Sequence, residues 1–195
     1  MIKGYIFDLD GTLLDTLDSL AQSFNGTLSK FGFPEHPVDA YRYFVGDGLR
    51  ACVERCLPAN ELNEGTINAF TEAQQADYER SWQTAHIYPG MGGMRSSACI
   101  GVPRPPCRSF QDENHSFTVK CVEHFFPGKF DLIQGYTGEF PHKPDPAGAR
   151  YLCEKLGCDP VEVAFIGDTA TDIGTAVACG NLPIRDPVGV SLTKP

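Results

Sequence analysis

The chain has 195 residues, 42% hydrophobic and 21% charged, with a formal net charge of −9. These values suit a soluble globular protein with one core-sized domain and a small accessory one. The acidic balance argues against nucleic-acid and acidic-membrane partners, no apolar run approaches the roughly 18 residues of a membrane span, and an early charged run argues against a secretory leader.

Residues 2–8 read as a buried strand that runs into Phe7-Asp8-Leu9-Asp10-Gly11-Thr12-Leu13-Leu14-Asp15-Thr16. Alternate residues of a strand share a face, so Asp8 and Asp10 leave the strand end side by side. Two carboxylates that close repel, and one keeps its proton unless a cation lies between them. Magnesium, a hard ion that takes oxygen ligands, suits the position. Gly11 permits a sharp turn with exposed amides, and the Thr12 hydroxyl can hold an anion. Carboxylates, metal and anion together indicate phosphoryl-transfer chemistry.

Over residues 16–31, apolar side chains recur at helical spacing (Leu17, Leu20, Phe24, Leu28, Phe31), with Asp15 and Thr16 fitting the cap and Gly32 the stop. Residues 36–86 continue as helical pieces broken at Gly46-Asp47-Gly48, Pro58 and Gly65, which suits a compact helical insert. Gly46-Asp47-Gly48 with Arg50 reads as a loop facing a site or, equally, as a plain turn. Tyr88-Pro89-Gly90 marks a return loop. Residues 95–114 then hold three prolines and three arginines with neither strand nor helix period, although a buried strand belongs there in an α/β sheet.

Beyond residue 116 the pattern resumes. It predicts a helix over 117–126, a strand over 130–134, a helix over 146–156 closed by Gly157, a strand over 163–166 and a helix over 171–179. Strands alternating with helices imply a parallel sheet whose ligands gather at the carboxyl ends of strands. Asp8 and Asp168 both lie at such ends. In Gly167-Asp168-Thr169-Ala170-Thr171-Asp172, Asp168 can complete a metal site, and Asp172 is a further ligand or a partner of one; a plain helix cap accounts for the same residue types. Lys143, in His142-Lys143-Pro144-Asp145-Pro146, is either a solvated surface charge or the cation that neutralises a phosphate oxygen and keeps Asp8 ionised. Asp145 fits a loop-orienting or capping role.

The eight cysteines are scattered without a CxxC pair, which favours reduced thiols and a cytoplasmic protein. The five histidines show no ligand spacing with them, which argues against zinc.

These motifs resemble those of the haloacid dehalogenase superfamily, close to its phosphoglycolate phosphatase branch. Asp8 to Thr16 is similar to the family's first motif, His142 to Pro146 to the third, and Gly167 to Asp172 to the fourth. The resemblance implies a Rossmann-like parallel α/β core formed by residues 1–15 and 87–195, and a small helical cap over 16–86. It implies a Mg²⁺-dependent phosphatase acting on a small phosphorylated metabolite such as 2-phosphoglycolate. Asp8 would be the nucleophile that forms an aspartyl-phosphate, and Asp10 the general acid and base. Asp8, the Asp10 carbonyl and Asp168 would hold the metal with Asp172 assisting, while Thr12 and Lys143 would bind phosphate. A sugar-phosphate mutase similar to β-phosphoglucomutase shares Asp8 and Asp10.

The family's second motif, a Ser or Thr usually followed by Asn at the end of an apolar strand, belongs between about residues 100 and 116. Ser109 is the nearest phosphate-binding candidate, but Phe110 follows it; Ser116 is a weaker one. That departure also favours an inactive phosphate- or metal-binding remnant. The abrupt change in composition indicates that residues 95–114, and the tail after 184, are read in a shifted frame or otherwise altered. Sequencing the coding DNA checks this: a strand ending in Ser-Asn or Thr-Asn in another frame supports it, and its absence in every frame rejects it.

Overall fold

The computed structural model describes residues 1–46, 48–91 and 107–186, so Asp47, residues 92–106 and the tail beyond Asp186 lie outside the described residues. The chain divides into two compact units, one of Met1–Asp15 with the described residues from Ile87 onward, the other of Thr16–His86. Two-residue strands β2 (Leu14–Asp15) and β3 (His86–Ile87) fall where the chain leaves the first unit and returns to it.

The first unit is built on a parallel sheet. β1 (Gly4–Phe7) is central, flanked by β4 (Cys107–Asn114) and β6 (Val163–Gly167), with β5 (Leu132–Tyr136) and β7 (Leu182–Arg185) at the edges, in the order β5-β4-β1-β6-β7. Its helices are α5 (His115–Phe125), α6 (Ala147–Leu156) and α7 (Ala170–Cys179). A strand inside such a sheet meets apolar cover on both faces, and every residue of β6 is buried. Ile6, Phe165, Leu152 and Ala176 pack together in the core, drawn from β1, β6, α6 and α7. All five core strands are parallel, so their carboxyl ends, including those that precede Asp8 and Asp168, lie along one edge.

Two segments depart from the sequence pattern. β4 forms inside the stretch read as lacking any period. It pairs on both sides, Phe7 opposite Ser109 and Ser109 opposite Ile133, so ladder bonds to two neighbours replace intrinsic strand preference. Pro103, Pro105 and Pro106 precede the strand rather than interrupt it. Its register shifts between Phe110 and Asn114. β7 has no clear pattern, and all four of its residues are exposed; Pro183 is tolerated because β7 is an edge strand.

The second unit is helical: α1 (Leu17–Phe31), α2 (Tyr41–Phe44), α3 (Leu49–Cys56) and α4 (Glu64–Ser81). Phe24 of α1 packs its ring 5.7 Å from Tyr41 and 6.2 Å from Phe70 of α4. The buried Tyr41 hydroxyl donates to Asn25 Oδ1 at 2.7 Å. Among the described residues, no helix is long and apolar enough to cross a membrane, and the six cysteines whose side chains are described are thiols outside any disulfide.

α1 and α4 are also tied by one carboxylate. Asp77, its side chain 10% exposed, accepts from Thr27 Oγ1 at 2.9 Å and from Lys30 Nζ at 2.5 and 2.6 Å, and Arg80 joins it. Burial works against the charged form, but the bonds from Lys30 and Thr27 and the charges of Lys30 and Arg80 outweigh it, holding the Asp77 pKa below its ordinary value. A depressed carboxylate stabilises the fold above its unfolded pKa of about 4 and loses that contribution as pH falls through the folded value. Asp77→Asn should therefore lower stability by about 1–2 kcal/mol at pH 7. Urea titrations should show that difference shrinking as the pH drops below about 4.

Candidate active site

Asp8 follows β1 directly, and its N–H donates to the Ile166 carbonyl at 2.9 Å, which fastens it beside the end of β6. The chain then turns tightly, with the Leu13 and Leu14 amides donating to the Leu9 carbonyl and Gly11 N–H to the Leu14 carbonyl at 2.8 Å. Gly11 sits at φ +81, and a Cβ there would lie 2.7 Å from Asp168 Oδ2. Only glycine satisfies both the backbone and the close approach. Thr12, fully buried, donates its hydroxyl to Asp168 Oδ1 at 3.2 Å.

On the other side, β6 ends at Gly167, where a Cβ would run into Asp172 Cβ and Cγ. Asp168 follows, and Thr169 caps α7. The Thr169 hydroxyl accepts from Asp172 N–H at 3.2 Å, while Asp172 Oδ2 accepts from the Thr169 amide at 3.0 Å and its hydroxyl at 2.5 Å. This reciprocal cap occupies one oxygen of Asp172 and leaves Oδ1 for Lys143. The Lys143 ammonium lies 2.7 Å from Asp172 Oδ1 and 2.7 Å from Asp8 Oδ1. Asp145 Oδ1 accepts from the Ala147 amide at 2.8 Å and orients the loop carrying Lys143.

Asp8, Asp168 and Asp172 are all buried, and each offers an oxygen within 4.8 Å of those of the others. The Lys143 ammonium bridges two of the three, Asp8 and Asp172. Burial pushes the Asp8 carboxyl well above the ordinary range; Lys143 pulls it down, and Asp172 and Asp168 push it up again. Buried like charges demand a counter-ion or a proton, and an all-oxygen donor set fits a hard divalent cation such as Mg²⁺.

Asp8, Thr12, Lys143, Asp168 and Asp172 thus converge. Asp10 lies in the same turn, half-buried and bridged through its backbone to Leu14, but is not one of the three clustered carboxylates. Ser109 is fully buried, its hydroxyl without a partner among the described residues, in register with Phe7, one residue below the level of Asp8 and on the face that Phe7 occupies. Ser116 is exposed in the first turn of α5, its hydroxyl donating to Asn114 Oδ1 at 2.6 Å. Arg50 is paired with Glu54 at 2.8 Å and Glu64 at 2.6 Å in the helical unit. Sequence reasoning missed Gly174, where a Cβ would lie 3.0 Å from Pro144 Cβ; a single glycine in a helix carries no pattern that foretells such a contact.

Residues 5–94 and 110–180 each match a family model of haloacid dehalogenase-like hydrolases. A phosphoglycolate phosphatase of Psychrobacter arcticus is 32% identical over 183 residues, covering 86% of this chain and 76% of that protein. The chain belongs to the haloacid dehalogenase-like hydrolases. A phosphoglycolate phosphatase of Haemophilus influenzae is 29% identical, covering 92% of this chain and 88% of its own length. The fold agrees with that of a haloacid dehalogenase-like family hydrolase from Streptococcus pneumoniae, at a TM-score of 0.83 and 22% identity over 97% of this chain and 87% of the other. The interval between the two family matches, 95–109, lies within the composition break.

Gly11→Ala should force the turn away from Asp168 and strain its own backbone, at a cost of about 2 kcal/mol. The denaturant midpoint reads this loss, and an unchanged midpoint would show that the turn has room for a side chain.

Proposed function

We propose that the protein is a Mg²⁺-dependent phosphatase that hydrolyses a small phosphorylated metabolite of the phosphoglycolate kind. The observation that carries this reading is the buried bridge of Lys143 between Asp8 and Asp172, beside Asp168. Asp8 attacks phosphorus through a carboxylate oxygen, forming an aspartyl-phosphate as the ester P–O bond breaks. Asp10 gives its proton to the departing alkoxide, then takes one from the water that hydrolyses the intermediate. Lys143 favours the ionised form of Asp8 and, with Thr12, receives phosphate oxygens.

Asp8, the Asp10 carbonyl and Asp168 would hold Mg²⁺ with Asp172 assisting, and the bound ion would supply charge neutralisation at the phosphoryl group. Both oxygens of Asp172 already have protein partners, so its assistance consists mainly in fixing Lys143 and the start of α7. The helical unit, Thr16–His86, is assigned the part of a cap that excludes water and selects the leaving group. Relatives named phosphoglycolate phosphatase support the substrate class.

The position of Ser109 favours a second reading. Its hydroxyl lies below the level of Asp8, and the next residue is Phe110, so the phosphate cradle expected of the family's second motif is weak. Mg²⁺ binding without turnover would then mark an inactive remnant.

Phosphate release from 4-nitrophenyl phosphate and 2-phosphoglycolate distinguishes the two. The phosphatase reading expects turnover that vanishes in EDTA and returns with Mg²⁺, and a loss of about three orders of magnitude or more in Asp8→Asn. Turnover that persists in Asp8→Asn contradicts the mechanism. Calorimetric Mg²⁺ binding with no turnover on a broad ester panel supports the remnant.

A further inference from the structure

Lys143 lies in the connection between Tyr136, the last residue of β5, and Ala147, the first of α6. Its side chain is 5% exposed, and its ammonium must meet Asp8 and Asp172 at once. A flexible four-carbon stem holds such a bridge only above a fixed backbone. On the α6 side the backbone is fixed: Asp145 N–H donates to the His142 carbonyl at 3.1 Å, Asp145 Oδ1 accepts from the Ala147 amide at 2.8 Å, and Pro144 meets Gly174.

On the β5 side, Thr137 to Glu139 are exposed. Phe140 places its ring 5.2 Å from Tyr151 of α6, which adds a second tie to the same helix. The link back to the sheet is a pair of rings. Tyr136 and His142 stack with centroids 3.9 Å apart and planes 15° from parallel. The strand end beneath Tyr136 is itself held, since Gly135 N–H donates to His115 Nδ1 at 3.2 Å.

We propose that the Tyr136–His142 stack is a positioning clasp that ties the residue before Lys143 to the end of β5 and so keeps the ammonium between Asp8 and Asp172. Both residues are exposed, so the pair buries little apolar area and contributes little to the stability of the unit. Its interaction energy goes into holding one segment of chain. Neither residue is catalytic in this account. The role in turnover rests on the phosphatase reading; the restraint of Lys143 does not.

Two measurements keep those apart. Acetic anhydride labelling followed by peptide mass mapping reads the reactivity of each lysine without any need for activity. Tyr136→Ala and His142→Ala should each speed acetylation of Lys143 about fivefold, the factor expected for losing one stacked ring pair. Lys30, Lys129 and Lys155 should keep their rates, the melting temperature should fall by no more than about 2–4 °C, and Tyr136→Phe and His142→Phe, which preserve stacking, should restore the slow rate. An unchanged Lys143 rate in the alanine variants, or an equal rise at all lysines, overturns the clasp. In the kinetic arm, kcat for 4-nitrophenyl phosphate should fall about fivefold while KM moves by less than about twofold, and phenylalanine should rescue it. A drop in activity that phenylalanine does not rescue, with Lys143 labelling unchanged, rejects the proposal. A wild-type protein without turnover rejects the phosphatase reading alone, and the labelling result still decides the clasp.

Discussion

Three buried carboxylates meet where β1 and β6 end, and one buried ammonium bridges two of them; most of the local architecture answers that crowding of like charge. Isolated charges of one sign in a low-dielectric setting repel strongly. Lys143 relieves the repulsion between Asp8 and Asp172, and Asp168 Oδ1 accepts from the Thr12 hydroxyl. A cluster of buried carboxylates of this kind suits a small, hard cation.

The scaffold delivers these groups through backbone economy. A parallel sheet brings its strand ends to one edge, but that alone leaves side chains several ångströms apart. Gly11 and Gly167 close the gap, because each stands where a Cβ would collide with Asp168 or Asp172. The reciprocal cap between Thr169 and Asp172 then fixes the first turn of α7 and fixes which oxygen faces Lys143. A residue that ends a helix correctly thus also sets the rotamer of a charged partner.

The legibility of the sequence follows the locality of each signal. Asp8-Leu9-Asp10-Gly11-Thr12 could be read directly because the chemistry lies within five consecutive positions, and Gly167 to Asp172 because strand, glycine and cap follow one another. The buried helices and β6 had clear periods. β4 could not be read, since what makes it a strand is pairing with β1 and β5 on both sides rather than its own residues. The second duty of Asp172, joining a cap to a lysine 29 positions away, and the stacking of Tyr136 on His142 across an irregular connection leave no periodic trace. Ser109 is singled out by residue type and by where the family's second motif should fall, while its level in the sheet comes only from the register.

If the cluster is a cation site, the folded protein must hold Mg²⁺ more tightly than the unfolded chain does, and thermal unfolding across a Mg²⁺ series reads that directly. The account predicts a melting temperature that climbs with Mg²⁺ in the wild type and stays flat in Asp168→Asn. A wild-type melting temperature indifferent to Mg²⁺, or the same climb in Asp168→Asn, would contradict it.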